Sequence, residues 1–222
     1  MASTLKSLTT KYKAFLFDLN GTMVDDMAYH IRAWHRILNS LGANLSPERV
    51  KKECYGKNHE LLERIFPGRF SEQEKDRMSL DKEREYQAAF RPQLQLIPGL
   101  HAFMASAQVG GVKMAIGSAA IRYNIDFVLD GLDIRKYIDA IVSADDVVRS
   151  KPDPETFLKC ADALKIDYKD CLVFEDAPKG VEAAGNAGMD CLVITTMHTQ
   201  PEFSAYTNTI GFINDYLEEY QD

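Results

Sequence analysis

Four residues suited to chemistry follow an apolar run near the start of the chain. Directly after Ala14–Phe17 come a carboxylate, an amide, a glycine and a hydroxyl: Asp18, Asn20, Gly21 and Thr22. An apolar run without polar alternation is typical of a strand that is buried on both faces of a parallel sheet. Open α/β sheets bind ligands at the carboxyl ends of their strands. The sequence therefore predicts chemistry at Asp18, and Gly21 would let the backbone approach a phosphate closely.

The pair Asn20-Gly21 has a second interpretation, because it suits the left-handed dihedral angles of a tight β-hairpin turn. No matching strand follows the pair in the sequence. From Asp26 onward, apolar side chains recur at helical spacing instead. This change of period favours a strand end over a hairpin.

Polar side chains also follow three later apolar runs: Ser118, Lys151, Glu175 and Asp176. Taken singly, each has an ordinary explanation, as a helix cap for Ser118, a solvated cation for Lys151 and the N-cap of the next helix for the acidic pair. Together with Asp18 they would converge on one crevice. Two carboxylates from different strand ends can hold a hard cation such as Mg²⁺. A hydroxyl and an ammonium beside them can hold phosphate oxygens.

The elements that would position these groups alternate between strands and helices beyond Pro98. The predicted strands are 14–17, 112–117, 140–144, 171–174 and 191–195, with 209–213 as a candidate edge strand. The predicted crossover helices are 100–107, 121–132, 154–164 and 178–187. Asp153 is the predicted N-cap of the third of these helices. The pattern predicts an α/β core built on a five-stranded parallel sheet.

A long stretch between the first and second strands carries only helical patterns. Ser46 before Pro47 predicts one helix start, and Ser71 opens a capping-box pattern that predicts another. This last helix is expected to end before Pro92. The predicted domains are an α/β core and an inserted helical domain: residues 1–26 with 98–222, and residues 27–97. The short flanks of the insertion suit a hinge, and a rigidly packed subdomain is the equal alternative.

Composition excludes several classes of function. With 222 residues and 45% hydrophobic content, the chain can bury a full core. Its net charge of -7 argues against a nucleic-acid or anionic-membrane surface, because such surfaces carry an excess of Lys and Arg. The cysteines show no zinc or disulfide spacing, and no long apolar run marks a signal peptide or membrane span. We expect a cytoplasmic monomer with reduced thiols and neither nucleic-acid nor membrane partners.

Residues 18–22 read Asp-Leu-Asn-Gly-Thr, which resembles the first motif of the haloacid dehalogenase-like (HAD) superfamily, Asp-x-Asp-Gly-Thr, with an amide in place of the second acid. The later strand-end groups also match that family's motifs: Ser118, Lys151, Glu175 and Asp176. Three segments resemble the β-phosphoglucomutase-like branch in particular: 25–34, 150–154 and 175–183. The resemblance covers nearly the whole chain. It implies a Rossmann-like, doubly wound parallel sheet with an inserted all-helical cap domain.

The resemblance also implies roles for these residues. Asp18 would be the nucleophile that forms an aspartyl-phosphate, and Ser118 and Lys151 would bind the transferring phosphoryl group. Four residues would hold Mg²⁺: Asp18, the backbone carbonyl of Asn20, Asp176, and Glu175 beside it. A carboxylate attacks a dianionic phosphate only when charge is neutralised, which Mg²⁺ and Lys151 would do. Asn20 stands where the family carries its general acid and base.

The resemblance further implies that substrate binding involves residues of both the core and the cap: Gly21, Thr22, Ala119, His30, Trp34, Lys57, Asn58, His59 and Lys82. His30 matches a hinge histidine that orients the acid/base carboxylate in mutases, although a lone histidine in a first helical turn is more often solvated. The loop 56–59 falls where mutases carry a Gly-x-x-Arg loop for a second phosphate. Arginine, whose planar fork binds phosphate through two donors, is absent from this loop.

Three functions are compatible with these residues. The first is a Mg²⁺-dependent phosphatase of a small phosphorylated metabolite, such as a sugar phosphate, that works through an aspartyl-phosphate. The second is a β-phosphoglucomutase-like isomerase. The third is a phosphosugar-binding protein that is catalytically impaired, because the amide of Asn20 does not transfer protons as a carboxyl group does.

Overall fold

A computed structural model describes residues 5–217 of the chain. Its strands are β1 Ala14–Phe17, β2 Lys113–Gly117, β3 Ala140–Val142, β4 Cys171–Glu175, β5 Asp190–Ile194 and β6 Thr209–Ile213. All of them pair in parallel in one sheet of order β3-β2-β1-β4-β5-β6. In this doubly wound order the chain runs from the centre of the sheet to one edge, returns to the centre and runs to the other edge.

The α-helices are α1 Leu5–Lys11, α2 Met27–Ser40, α3 Pro47–Glu53, α4 Asn58–Ile65, α5 Glu72–Phe90, α6 Leu100–Val109, α7 Arg122–Gly131, α8 Glu155–Leu164 and α9 Pro178–Asn186. Short 3₁₀-helices cover Arg91–Gln93, Arg135–Tyr137, Ala144–Asp146, Tyr168–Asp170 and Gln200–Phe203. The chain divides into two compact units. The core unit joins the segment that ends at Asp25 to the segment that begins at Gln95, and the helical unit is Asp26–Leu94.

The central strand β1 is buried on both faces, as its unbroken apolar sequence predicts. On one face Leu16 belongs to a hydrophobic cluster that includes Phe157 of α8. On the other face Phe15 stacks on Phe103 of α6, with 5.2 Å between the ring centres. Successive side chains of a strand point to opposite faces of the sheet, so these two contacts show that helices cover both of its faces.

The predicted doubly wound α/β fold is confirmed, and the boundaries of its predicted strands and crossover helices differ from the observed ones by at most two residues. Three details differ from the sequence analysis. The candidate edge strand β6 is a full member of the sheet, α1 was not predicted, and α8 begins one residue late, at Glu155. The N-cap is therefore Pro154 and not Asp153 as predicted, although Oδ1 of Asp153 accepts the N–H of Glu155 at 3.0 Å. The Asn20-Gly21 pair lies in a turn that no hairpin strand follows among the described residues.

The helical unit consists of α2 to α5 and the 3₁₀-helix that follows them. Both predicted N-caps are confirmed: the Ser46 hydroxyl accepts the N–H of Arg49 at 3.2 Å, and Ser71 and Glu74 form a reciprocal capping box. The helix α5 ends at Phe90, before Pro92 as predicted. Buried apolar side chains form the core of the unit: Trp34, Leu38, Val50, Leu61 and Leu62.

No helix between residues 5 and 217 combines the length and the apolar character that crossing a membrane would need. The cysteines are not joined by disulfides: Cys54, Cys160, Cys171 and Cys191. Burial raises the pKa of Cys54 to about 11 and that of Cys171 to about 12. These thiols therefore stay protonated at neutral pH and are weak nucleophiles.

Candidate active site

The carboxylate of Asp18 begins where β1 ends. Its backbone N–H donates to the carbonyl of Phe174 at 2.9 Å, which extends the pairing of β1 with β4 by one residue. The residue is 8% exposed. A largely buried carboxylate whose main chain is fixed by the sheet is suited to act as a nucleophile or as a metal ligand.

The ammonium of Lys151 joins two of the predicted strand-end carboxylates. Its Nζ lies 2.7 Å from Oδ1 of Asp18 and 2.7 Å from Oε1 of Glu175. Burial alone would lower the pKa of Lys151, but the two carboxylates raise it above its ordinary value. The lysine therefore remains a cation at any physiological pH and supplies positive charge beside Asp18.

The carboxylate of Glu175 is engaged by nitrogen donors on both oxygens. Its Oε1 accepts from Lys151, and its Oε2 accepts the backbone N–H groups of Asp176 and Ala177, each at 2.8 Å. The first turn of α9 makes room for it, because a Cβ on Gly180 would lie 1.8 Å from Oε1. Glu175 is thus fixed as the support of Lys151.

The carboxylate of Asp176 packs directly against the loop after β1. A Cβ on Gly21 would lie 2.1 Å from Oδ2 of Asp176, and Gly21 has a φ of +76°. Both the close approach and the left-handed backbone require glycine here. Asp176 is 4% exposed. The sequence motif therefore brings the second acidic residue of the site against the backbone that follows Asn20.

Ser118 follows β2, the strand next to β1. Its backbone N–H donates to the carbonyl of Val142 at 3.0 Å, and its Oγ accepts the N–H of Ala120 at 3.2 Å. A hydroxyl oxygen that accepts one hydrogen bond can also donate its proton, so Ser118 can donate to a ligand. Ala119 is half-buried beside it. Thr22 is completely buried, and its hydroxyl has no hydrogen-bond partner among the described residues.

The oxygen groups near β1 suit a small hard cation. Asp18 and Asp176 offer carboxylates, and Asn20 offers a backbone carbonyl; Mg²⁺ is typically bound by one or two carboxylates and keeps several waters. Residues 5–217 contain no cluster of three or more His, Cys, Asp or Glu side chains that would hold a metal. Glu175, predicted beside the metal, has both oxygens bound to N–H donors.

In the helical unit, His30 lies in a buried polar network and is 5% exposed. Lys82 Nζ lies 2.6 Å from Nδ1 of His30 and 2.9 Å from Oε1 of Glu83. Because an ammonium can only donate, Nδ1 must accept, which places the histidine proton on Nε2, 3.5 Å from Oδ2 of Asp26. The ring also stacks on Tyr86, with 3.8 Å between ring centres. The alternative of a solvated first-turn histidine is therefore wrong.

The other residues predicted to bind substrate from the helical unit have partners within that unit. Asn58 Nδ2 donates to Oε1 of Glu83 at 2.9 Å. The two ring nitrogens of His59 lie 3.1 Å from Glu72 and 3.0 Å from Asp76. The backbone N–H of Lys57 donates to Glu60 at 3.0 Å.

Trp34 is only 2% exposed and belongs to the hydrophobic core of the helical unit. Leu38 and Leu62 belong to the same cluster and leave the ring little exposed surface. The contact of its indole with substrate stays a prediction. Lys82 is likewise 3% exposed, with its ammonium turned to His30 and Glu83. Both side chains lie in the interior of the helical unit.

Two residues that bind the loop after β1 were missed in the sequence. Thr196 Oγ1 donates to the carbonyl of Gly21 at 2.6 Å, and Tyr216 Oη donates to that of Thr22 at 3.1 Å. Thr196 lies just beyond β5, so the strand-end argument that found Asp18 could have found it too. Tyr216 follows the last strand, where no local pattern indicates a long-range contact.

Known proteins resemble this chain in sequence. The family model described as haloacid dehalogenase-like hydrolase matches residues 15–194. The chain is 31% identical over 185 residues to the beta-phosphoglucomutase of Bacillus subtilis (strain 168), covering 80% of each protein. It is 27% identical over 182 residues to the fructose-1-phosphate phosphatase YqaB of Escherichia coli (strain K12), covering 82% of this chain and 96% of that protein.

The fold also matches solved structures. A beta-phosphoglucomutase (pgmB) from Clostridium difficile superimposes with a TM-score of 0.80 at 26% identity, covering 92% of each chain. The two proteins therefore share nearly the whole fold.

Proposed function

Because this chain belongs to the haloacid dehalogenase-like hydrolase family, we propose that it is a Mg²⁺-dependent phosphatase of a small monophosphorylated metabolite, such as a sugar phosphate. The family makes it an enzyme of the phosphatase or phosphomutase type. The observation that carries the proposal is the contact of Lys151 with Asp18, supported from behind by Glu175. A buried cation beside a buried carboxylate is what an attack on a phosphate dianion requires.

Asp18 is the proposed nucleophile. One of its carboxylate oxygens forms a bond to phosphorus while the bond from phosphorus to the leaving oxygen breaks, which gives an aspartyl-phosphate. Water then attacks phosphorus, the acyl-phosphate bond breaks, and inorganic phosphate and free Asp18 are regenerated. Lys151 offsets the negative charge of the phosphoryl group in both steps, and the Ser118 hydroxyl donates to one of its oxygens.

Asp18, Asp176 and the carbonyl of Asn20 are the proposed ligands of Mg²⁺. When bound, this ion neutralises charge on the phosphoryl group and orients it. For Glu175 we propose a role other than metal ligation, which was the role first expected. Its two oxygens hold Lys151 and the backbone after β4, so that the ammonium faces Asp18 in a fixed position.

In the family a carboxyl group at the position of Asn20 donates a proton to the leaving oxygen. The amide of Asn20 does not transfer protons in this way. General acid catalysis typically contributes about 10² to 10⁴ in rate. We therefore expect a slow enzyme that hydrolyses aryl phosphates, whose leaving groups need little protonation, faster than alkyl sugar phosphates. The same amide supports the alternative of an impaired phosphosugar-binding protein, which would bind a sugar phosphate without turnover.

A phosphatase is favoured over an isomerase by the charges of the helical unit. A mutase must bind a second phosphate, and the loop 56–59 has no arginine. His59 lies between two carboxylates, and Lys82 is buried against Glu83. These carboxylates compete with a second phosphate for His59 and Lys82, which supports a substrate with one phosphate group.

The test is a turnover assay over a panel of sugar phosphates and one aryl phosphate with Mg²⁺, with phosphate release and sugar isomerisation measured in parallel. Asp18→Asn removes the nucleophile and keeps its shape, and we expect it to abolish phosphate release. Asp167→Asn makes the same change at an exposed position and is the matched control. Full activity in Asp18→Asn, or in excess chelator, would contradict the proposal; isomerisation without phosphate release would support the mutase instead.

A further inference from the structure

The loop of residues 18–24, here called the nucleophile loop, has a backbone set by its own hydrogen bonds. The N–H of Gly21 donates to the carbonyl of Val24 at 2.8 Å. In a trans peptide group the N–H and the preceding C=O point in opposite directions. The Gly21 bond therefore turns the carbonyl of Asn20 away from Val24.

Thr196 binds the next peptide group of this loop from outside. Its Oγ1 donates to the carbonyl of Gly21 at 2.6 Å. The adjacent Thr195 makes bonds of the same kind elsewhere, because its Oγ1 lies 3.2 Å from the carbonyl of Ile213 and 2.6 Å from Oδ1 of Asn214. Two neighbouring threonines thus differ in their contact with the nucleophile loop.

Tyr216 binds the peptide group after that one. Its hydroxyl donates to the carbonyl of Thr22 at 3.1 Å, while its ring stacks on Phe103 with 5.6 Å between ring centres. Its backbone N–H donates to the carbonyl of Pro98 at 2.9 Å. Gly99 makes the approach possible, since a Cβ there would lie 2.5 Å from the carbonyl carbon of Tyr216. The tyrosine is 5% exposed and is held on several sides.

We propose that Thr196 and Tyr216 are positioning residues of the active site, which fix two successive peptide groups of the nucleophile loop and so hold the Asn20 carbonyl in place. The Gly21 peptide held by Thr196 also lies against the Asp176 carboxylate, since no Cβ fits between them. Rotation of the Gly21 peptide group would displace both the Asn20 carbonyl and the Asp176 carboxylate. The inference rests on the proposed function in assigning the Asn20 carbonyl and Asp176 to Mg²⁺.

The expected effect follows from the strength of a hydrogen bond. Loss of one neutral hydrogen bond corresponds to a change of about threefold to tenfold in a local equilibrium. Ligands and nucleophile must keep their geometry for the reaction, and a displacement of 1 Å can lower the rate by about a hundredfold. The loss should therefore appear in kcat and in Mg²⁺ affinity, while KM stays near that of the wild type.

The variants distinguish the effect of each hydroxyl group from the effect of the rest of its side chain. Thr196→Val removes the hydroxyl and keeps the shape, Thr196→Ser restores it, and Thr195→Val is the matched control. Tyr216→Phe keeps the stacked ring. Its control is Tyr12→Phe, which removes a hydroxyl that is bonded to Asp190 at 2.5 Å. That bond lies at the amino-terminal ends of β1 and β5, whereas the nucleophile loop follows the carboxyl end of β1.

Three measurements test the proposal: hydrogen exchange of the amides in residues 18–24, Mg²⁺ affinity by isothermal titration calorimetry, and kcat and KM with a sugar phosphate. We expect Thr196→Val and Tyr216→Phe to speed exchange and weaken Mg²⁺ binding by about threefold to tenfold and to lower kcat. Thr196→Ser should match the wild type, and both controls should leave exchange and Mg²⁺ binding unchanged.

Equal effects in Thr195→Val and Thr196→Val would overturn the proposal, because the loss would then reflect general destabilisation. So would unchanged exchange and Mg²⁺ binding in both test variants. A wild-type protein that hydrolyses no phosphate ester would refute the proposed function, while the exchange rates of residues 18–24 would still support or overturn the positioning on their own.

Discussion

Replacing Gly180 with alanine tests whether Glu175 is held where the structure places it. Gly180 lies within α9, where alanine should stabilise the helix by up to about 1 kcal/mol. A Cβ there, however, would lie 1.8 Å from Oε1 and 1.9 Å from Cδ of Glu175. Displacement of Glu175 breaks a buried ion pair with Lys151, which typically costs about 3 to 5 kcal/mol. We therefore expect Gly180→Ala to lower the free energy of unfolding by about 2 to 4 kcal/mol.

A double-mutant cycle with Glu175→Ala makes this prediction sharp. The three atoms nearest to the added Cβ all belong to Glu175, so shortening that side chain removes the clash. In the Glu175→Ala background, Gly180→Ala should change sign and stabilise the protein by about 0.5 to 1 kcal/mol. Urea unfolding followed by circular dichroism measures all four proteins. A Gly180→Ala effect of the same size and sign in both backgrounds would refute the reasoning.

Three further predictions concern single groups. Asn20→Asp should raise sugar-phosphate turnover by about 10² to 10⁴ in steady-state assays; no gain in an enzyme that is already fast would show that another group donates the proton. Lys151→Met should abolish turnover and lower the urea unfolding free energy by about 3 to 5 kcal/mol, because it leaves two buried carboxylates without their cation; wild-type stability would contradict the pairing. Burial works against ionised Glu83, but Lys82 holds its pKa below the ordinary value. The ionised form of Glu83 therefore stabilises the protein above about pH 4.3, and this contribution is lost as the pH falls through the lowered pKa. Glu83→Gln should make Tm depend less steeply on pH in this acidic range. An unchanged slope would contradict the prediction.

The positions of the strand-end groups could be predicted because they follow from local patterns and one topological rule. An unbroken apolar run identified β1, and parallel strands share one carboxyl edge. That rule alone brings Asp18, Lys151 and Glu175 together, and the structure shows them in contact at 2.7 Å. The sequence could not show that Lys151 lies between two carboxylates, since side-chain directions depend on packing.

The helical unit was harder to predict at the level of side chains. For Trp34 the family resemblance implied substrate binding, and the structure buries the side chain in the hydrophobic core of the helical unit. Burying a large aromatic side chain stabilises a small unit strongly. The contact of His30 with Lys82 joins residues 52 positions apart, and no spacing rule predicts it.

The loop contact of Tyr216 marks the limit of local reasoning. Tyr216 lies 194 positions from Thr22 in sequence and reaches it because β6 returns the chain to the sheet beside β5. The candidate edge strand was visible in the sequence, but the direction of the chain beyond it was not. Long-range contacts of this kind depend on the whole topology.

The central claim is that Asp18 attacks phosphorus, and chemical trapping of the intermediate tests it most directly. The wild-type enzyme is mixed with a sugar phosphate and Mg²⁺, quenched in acid during turnover, and treated with borohydride, which reduces an acyl phosphate to an alcohol. Peptide mass spectrometry then locates the reduced residue. We predict homoserine at position 18, dependent on substrate. Turnover with an unmodified position 18, or with the reduced residue elsewhere, would contradict the account.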